Sequence, residues 1–172
     1  MAYKVFLVED EVAAREGIRD NFDWKAAGFV FSGEAQDGEI ALPLIEEIQP
    51  DVLITDIKMP FMDGLQLCRI VRERLPWVKI IIVSGYDDFS YAQAAIKLGA
   101  AEYLLKPFNV PDLSTALRKV ASLLDHEKDD REYLKLLRNQ VQGNLLLLRE
   151  KFRFIGNLRG TPHIWGRLCH KW

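Results

Sequence analysis

At 172 residues, 49% hydrophobic and 28% charged, the chain has the make-up of a soluble globular protein: one ordinary domain plus an appendage. The net charge of −2 hides an asymmetry, because residues 1–125 carry 13 Lys and Arg against 20 Asp and Glu, and residues 126–172 carry 10 against 5. No apolar stretch approaches the roughly 20 residues that a bilayer requires, which excludes a spanning helix. Lys4, Glu9, Asp10 and Glu11 interrupt the one early apolar run, so no signal peptide is expected. Cys68 and Cys169 are isolated and make no metal-ligand spacing, as expected in a reduced, cytoplasmic compartment.

In chain order, Tyr3 to Val8 is a β-rich run that ends at Glu9-Asp10-Glu11. Helical periodicity follows through Val12, Ile18 and Phe22, with Asp10 as the expected cap. Phe29 to Ala35 reads as a second strand. Asp37-Gly38 turns into a helix with Ile40, Ala41, Leu44, Ile45 and Ile48 on one face, stopped by Pro50. Val52 to Thr55 is the third strand and delivers Asp56 to a loop broken at Met59-Pro60 and at Asp63-Gly64. Leu65, Leu67, Cys68, Val71 and Leu75 mark the next helix, and Lys79 to Val83 the fourth strand, ending at Ser84-Gly85. Asp87-Asp88 opens a helix through Tyr91, Ala95 and Leu98, closed by Gly99. Glu102 to Leu105 is the fifth strand, ending at Lys106-Pro107, and Leu113, Leu117, Val120 and Leu124 mark a fifth helix.

Strands three and four are almost continuous Val, Ile and Leu, which implies burial on both faces and so a parallel sheet covered by helices on each side. The fold class expected is α/β: a flavodoxin-like, doubly wound (βα)5 sheet of five parallel strands, followed by a C-terminal helical extension. In that extension Leu134, Leu137, Val141, Leu145, Leu148, Phe152 and Ile155 recur three and four residues apart, a seam that extends the fifth helix's period until Gly160-Thr161-Pro162. Residues 1–125 and 126–172 are the domain boundaries expected, the second part being a helical linker or dimerisation extension with an irregular tail.

An open parallel sheet carries its chemistry outside the carboxyl ends of its strands. Glu9 and Asp10 follow strand one, Asp56 strand three, Ser84 strand four and Lys106 strand five. Three carboxylates in one crevice repel unless a cation neutralises them, and oxygen ligands suit Mg²⁺ or Mn²⁺. Beside such a charge a carboxylate can attack phosphorus. Lys106 would add positive charge for the same oxygens, and the Ser84 hydroxyl a hydrogen bond.

Val8-Glu9-Asp10-Glu11, Ile54-Thr55-Asp56-Ile57-Lys58-Met59-Pro60 with Met62-Asp63-Gly64, Val83-Ser84-Gly85 and Tyr103-Leu104-Leu105-Lys106-Pro107 stand in an order and spacing that resembles the receiver domain of two-component response regulators. The resemblance implies that a sensor histidine kinase passes a phosphoryl group to Asp56, so the chain would be a signalling phosphoacceptor, not an enzyme acting on other molecules. Glu9, Asp10, Asp56 and the main-chain carbonyl of Lys58 would bind Mg²⁺; Ser84 and Tyr103 would be the switch pair; Lys106 would contact the phosphoryl group. Lys106-Pro107 would be cis, a geometry open in practice to X-Pro bonds alone. Glu9 replaces the aspartate more frequent in the acidic pair and reaches one methylene further.

Asp23-Trp24, Gly28-Phe29, Ser84-Gly85-Tyr86-Asp87-Asp88-Phe89, Tyr91-Ala92 and Leu148-Arg149-Glu150-Lys151-Phe152 are similar to receivers that precede an AraC-type DNA-binding module. The 172 residues contain no such module, so the chain is expected to be a fragment or a truncated gene product and to meet DNA only through a module it lacks. Two other classes fit less well. A phosphatase of the haloacid dehalogenase kind wants a second aspartate where Lys58 stands. An FMN carrier wants a phosphate-binding loop where Glu9-Asp10-Glu11 would repel one. Two side chains bear on the lifetime of the acyl phosphate, Lys58 and Tyr86, each two residues beyond a site residue. Neither is the amide or carboxylate that orients water in fast receivers, so a long-lived phospho-Asp56 is expected. The 126–158 seam, exposed on a lone helix, is expected to bring two chains together as a homodimer; the resemblance implies the receiver's fourth helix and fifth strand as a second possible dimer surface.

Overall fold

The structure, a computed structural model, describes residues 2–85 and 89–159. Five strands, β1 (Tyr3–Val8), β2 (Phe29–Ala35), β3 (Val52–Asp56), β4 (Lys79–Ser84) and β5 (Glu102–Leu105), form one sheet in the order β2-β1-β3-β4-β5. All four pairings are parallel. The strands alternate with α1 (Val12–Asn21), α2 (Gly38–Ile48), α3 (Gly64–Arg74), α4 (Phe89–Lys97) and α5 (Val110–Arg159). This is the doubly wound α/β fold expected.

The two-residue period of a strand divides its apolar side chains between two cores. Val5, Leu7, Val52, Ile54, Ile81 and Val83 pack with Ile18 of α1 and with Leu113, Leu117, Val120 and Leu124 of α5. Phe6, Val8, Leu53, Ile80 and Ile82 pack on the other face with Ala41 and Ile45 of α2, Leu67, Cys68 and Val71 of α3 and Ala95 of α4. Each fully buried Leu, Ile or Val contributes about 1.5–3 kcal/mol, and every residue of β3 is buried. The central strand that carries Asp56 is therefore the most firmly held.

Caps fix where the helices start. The Asp37 carboxylate accepts from the Ile40 amide at 2.9 Å, and Asp63 and Gln66 form a reciprocal capping box at the start of α3. At α1 the sequence expectation is corrected: Glu11, not Asp10, holds the cap position, and no side-chain oxygen caps that helix. Asp10 lies one residue too early to reach the first free amides. Ile40 is corrected too. It is 44% exposed, because the inward face of α2 centres on Ala41 and Ile45 and Ile40 lies about 100° round from Ala41. β3 and β4 each run one residue further than expected, taking in Asp56 and Ser84, because the ladder continues through Asp56 with Val83 and Ser84 with Leu105. Gly99, at φ +70°, closes α4. Asp87 and Asp88, the expected start of that helix, lie outside the described residues.

The chain divides into two compact units, Met1–Leu124 and Asp125–Trp172. In the second, α5 continues as helix to Arg159, and Leu134, Leu137, Val141 and Leu145 are all exposed. The side chains of Leu148, Phe152 and Ile155, the Gly160-Thr161-Pro162 stop and the tail with Trp165, Cys169 and Trp172 lie outside the described residues.

Candidate functional site: an acidic pocket at the strand ends

Register brings the site together. Val8 of β1 pairs with Thr55 of β3, so the residues that follow, Glu9 and Asp56, emerge side by side. Asp56 pairs with Val83, and Ser84 with Leu105, so Ser84 and Lys106 leave the sheet one strand and two strands further along. Lys106 is tied there by its amide, which donates to the Ser84 carbonyl at 2.8 Å. Since β1 lies between β2 and β3, the crevice falls where the chain reverses its direction of strand addition, the usual position for a site in such sheets.

Carboxylate oxygens of Glu9, Asp10 and Asp56 all lie within 4.8 Å of one another. Glu9 is 1% exposed, Asp56 8%, and Asp10 faces solvent. The Lys106 ammonium donates to Asp56 Oδ2 at 2.7 Å and to Glu9 Oε1 at 2.8 Å. The other oxygen of Asp56 accepts from the Ile57 amide at 2.5 Å. Burial pushes the Glu9 carboxyl above its ordinary value, with Lys106 opposing. For Lys106, burial works against the charge, but its bonds to Asp56 and Glu9 outweigh that and its pKa is raised. One ammonium thus bonds two of the three clustered carboxyls. The remaining negative charge, the all-oxygen donor set and the solvent-facing Asp10 fit a hard divalent cation that keeps part of its water shell.

The other residues singled out from the sequence fall around this cluster. Ser84 is buried at the end of β4. Tyr103, opposite Ile82 in β5, is half-buried and packs against the core on the α4 side. Lys58 is exposed, and its ammonium lies over the Tyr91 ring of α4, 5.9 Å from the centroid. Asp10, Lys58, Met59, Asp63 and Tyr91 help line an open recess of about 410 Å³ beside the cluster. Lys106-Pro107 is cis. Tyr86 lies outside the described residues.

Three residues to which the sequence assigned no role in the pocket also shape it. The buried Thr55 hydroxyl donates to the Asp56 carbonyl at 2.9 Å. Gly64 closes the loop behind Asp56: its amide donates to the Ile57 carbonyl at 2.9 Å, and a Cβ there would come within 1.9 Å of the Asp56 carbonyl oxygen. Asp63-Gly64 was legible as a turn, but not as a turn folded against the central aspartate. Arg15 of α1 donates to the Glu9 carbonyl at 2.7 Å; one arginine in a mixed helix gives no sequence signal.

The model of the response regulator receiver domain family matches residues 5–118. The uncharacterised transcriptional regulatory protein YesN of Bacillus subtilis is 38% identical over 125 residues, covering 73% of this chain and 34% of that protein. Transcriptional regulatory protein HptR of Staphylococcus aureus is 37% identical over 129 residues, covering 74% of this chain and half of its own. The chain therefore spans between a third and a half of the length of these curated relatives. Among solved structures, the receiver domain of AraT from Geobacillus stearothermophilus is 44% identical with a TM-score of 0.71, covering 74% of this chain and 99% of its own. A two-component transcriptional regulator AraC from Clostridium phytofermentans is 32% identical with a TM-score of 0.64, covering 74% of this chain and 99% of its own. Sheet order, acidic crevice and sequence agree: this chain belongs to the response regulator receiver domain family.

Proposed function

We propose that Asp56 accepts a phosphoryl group from a sensor histidine kinase, and that the resulting acyl phosphate switches the receiver. The observation that carries this reading is the pair of bonds on the Asp56 carboxylate, one oxygen on the Ile57 amide and the other on the Lys106 ammonium. They hold a nucleophile at the mouth of the crevice. A carboxylate oxygen of Asp56 attacks phosphorus, a P–O bond forms, the P–N bond to the donor imidazole breaks, and the imidazole leaves with its electron pair. Lys106 is close enough to Asp56 to follow the transferred group's oxygens. Glu9, Asp10, Asp56 and the Lys58 carbonyl would hold Mg²⁺, or Mn²⁺ in its place. When bound, that ion supplies positive charge to the phosphoryl oxygens. Ser84 and Tyr103 serve as the switch pair, the Ser84 hydroxyl meeting a phosphoryl oxygen and Tyr103 following it. Slow loss of the phosphoryl group to water fits Lys58, whose ammonium cannot accept a proton from water.

Residues 1–125 are the receiver and 126–172 a helical linker or dimerisation extension with an irregular tail, two copies associating through residues 126–158. The relatives are transcriptional regulators. Control of transcription through a DNA-binding module, in the cytoplasm, is the output proposed. No helix among the described residues is long and apolar enough to cross a membrane.

Intact mass after incubation with Mg²⁺ and acetyl phosphate tests the central claim. One phosphoryl group is expected on the wild type and none on Asp56→Asn. Equal uptake at an equal rate by the variant removes Asp56 from the role. In the same assay, Lys58→Asn should shorten the lifetime once the donor is removed.

A further inference from the structure

We propose that Arg15 is a positioning residue of the acidic pocket, acting through the peptide that joins Glu9 to Asp10. This inference rests on the reading of Glu9 and Asp10 as metal ligands. Arg15 Nη1 donates to the Glu9 carbonyl at 2.7 Å and reaches the Asp10 carbonyl at 3.5 Å. The Glu9 carbonyl belongs to the one peptide plane between the two acids, so fixing its direction fixes both Cα positions from which the carboxylates spring.

Two further observations make this more than a chance contact. The start of α1 has no side-chain cap; the β1–α1 junction is tied by the Glu11 amide, which donates to Glu9 Oε1 at 3.4 Å, and by Arg15, which reaches back from the first turn to the Glu9 carbonyl. Its guanidinium is itself held from β2: Glu34 Oε1 lies 3.5 Å from Arg15 Nε and 2.9 Å from Arg19 Nη1. The neighbouring residue on β2, Ala35, accepts the Glu9 amide at 3.1 Å. Both backbone groups of Glu9 are therefore anchored to adjacent residues of one strand, its N–H directly and its C=O through Arg15 and Glu34. Glu34 Oε2 is buried with no hydrogen-bond partner, a costly arrangement tolerable where two guanidinium groups neutralise the carboxylate. A lysine at position 15 would keep the charge but could not span the carbonyl and the carboxylate with a planar fork.

Groups that orient metal ligands without touching the metal typically change affinity by about 10–100-fold when removed. Arg15 acts on the ligand's backbone, not its carboxylate, so the lower end is expected. The experiment is Mg²⁺ titration by calorimetry, with no phosphodonor, on wild type, Asp10→Asn, Arg15→Met, Arg15→Lys and Glu34→Gln. Amide hydrogen exchange of residues 9–12 is measured alongside in metal-free protein. The expected result is Mg²⁺ binding about tenfold weaker in Arg15→Met, an intermediate loss in Arg15→Lys and Glu34→Gln, and faster exchange of residues 9–12 in all three. Should Asp10→Asn bind Mg²⁺ as wild type does, the metal reading itself fails. Should Asp10→Asn lose Mg²⁺ while Arg15→Met keeps wild-type affinity and exchange, or merely melts earlier with affinity unchanged, the positioning role fails and the metal reading survives. If Arg15→Met does not fold, Arg15→Lys and Glu34→Gln decide by the same criteria.

Discussion

Along α5 the same residue type at the same spacing meets two fates. Leu113, Leu117, Val120 and Leu124 are at most 5% exposed, whereas Leu134, Leu137, Val141 and Leu145 are 40 to 62% exposed. The first set closes one face of the sheet together with Val5, Leu7, Val52 and Ile54. The second has the same three-four period and no cover among the described residues. Periodicity therefore states which face of a helix must be covered, not what covers it. In the receiver the sheet supplies the cover; for the second set the reading proposed is a second copy of this chain.

The comparison breaks hardest at Leu117. Leu117→Ala should cost about 2–5 kcal/mol of receiver stability, read as a lower urea midpoint at constant slope. A loss below about 1 kcal/mol would place Leu117 outside the core and erase the contrast. A second, smaller effect reports on the opposite core. Burial pushes the Cys68 thiol up to about 12 from an ordinary 9.0. A folded-state pKa above the unfolded one contributes stability that is fully present below pH 9 and is lost as pH rises towards 12, because only the unfolded chain can ionise its thiol there. The slope approaches about 1.4 kcal/mol per pH unit. Wild type should lose that much more than Cys68→Ala across this window in paired urea titrations; parallel curves would mean that solvent reaches the thiol.

What was legible in the sequence follows the same division. The strands and their order along the chain were readable because β3 and β4 carry runs of β-branched residues, and the strand-end groups Glu9, Asp56, Ser84 and Lys106 inherited their places from them. What failed was local geometry that depends on a neighbour. Asp10 has the right chemistry for a cap, but the helix starts one residue later than such a cap needs. Ile40 fits the apolar period of α2, yet Ala41 and Ile45 already fill the inward face. Arg15 and Glu34, on separate elements, acquire meaning only once β2 lies beside β1. The packing of Gly64 on the Asp56 carbonyl requires the loop to be seen folded back.

The smallest expected effect on stability is the most informative about the second set. Leu134 is 62% exposed, so Leu134→Ala removes little burial from a lone chain and should change receiver stability by no more than about 0.5 kcal/mol. The same change should act strongly on assembly. In a pair of helices each copy loses three carbons of apolar side chain from the shared seam, at about 0.8 kcal/mol per buried methylene, twice per dimer. Association should then weaken by well over tenfold. Sedimentation across a wide concentration range separates the two effects: wild-type residues 1–172 should dimerise, Leu134→Ala should need far higher concentration, and a chain ending at Asp125 should not follow either curve. If Leu134→Ala lowers the urea midpoint of a dilute, monomeric sample as much as Leu117→Ala does, the chain covers its own seam. If residues 1–125 and 1–172 both sediment as monomers throughout, a second copy is not the cover.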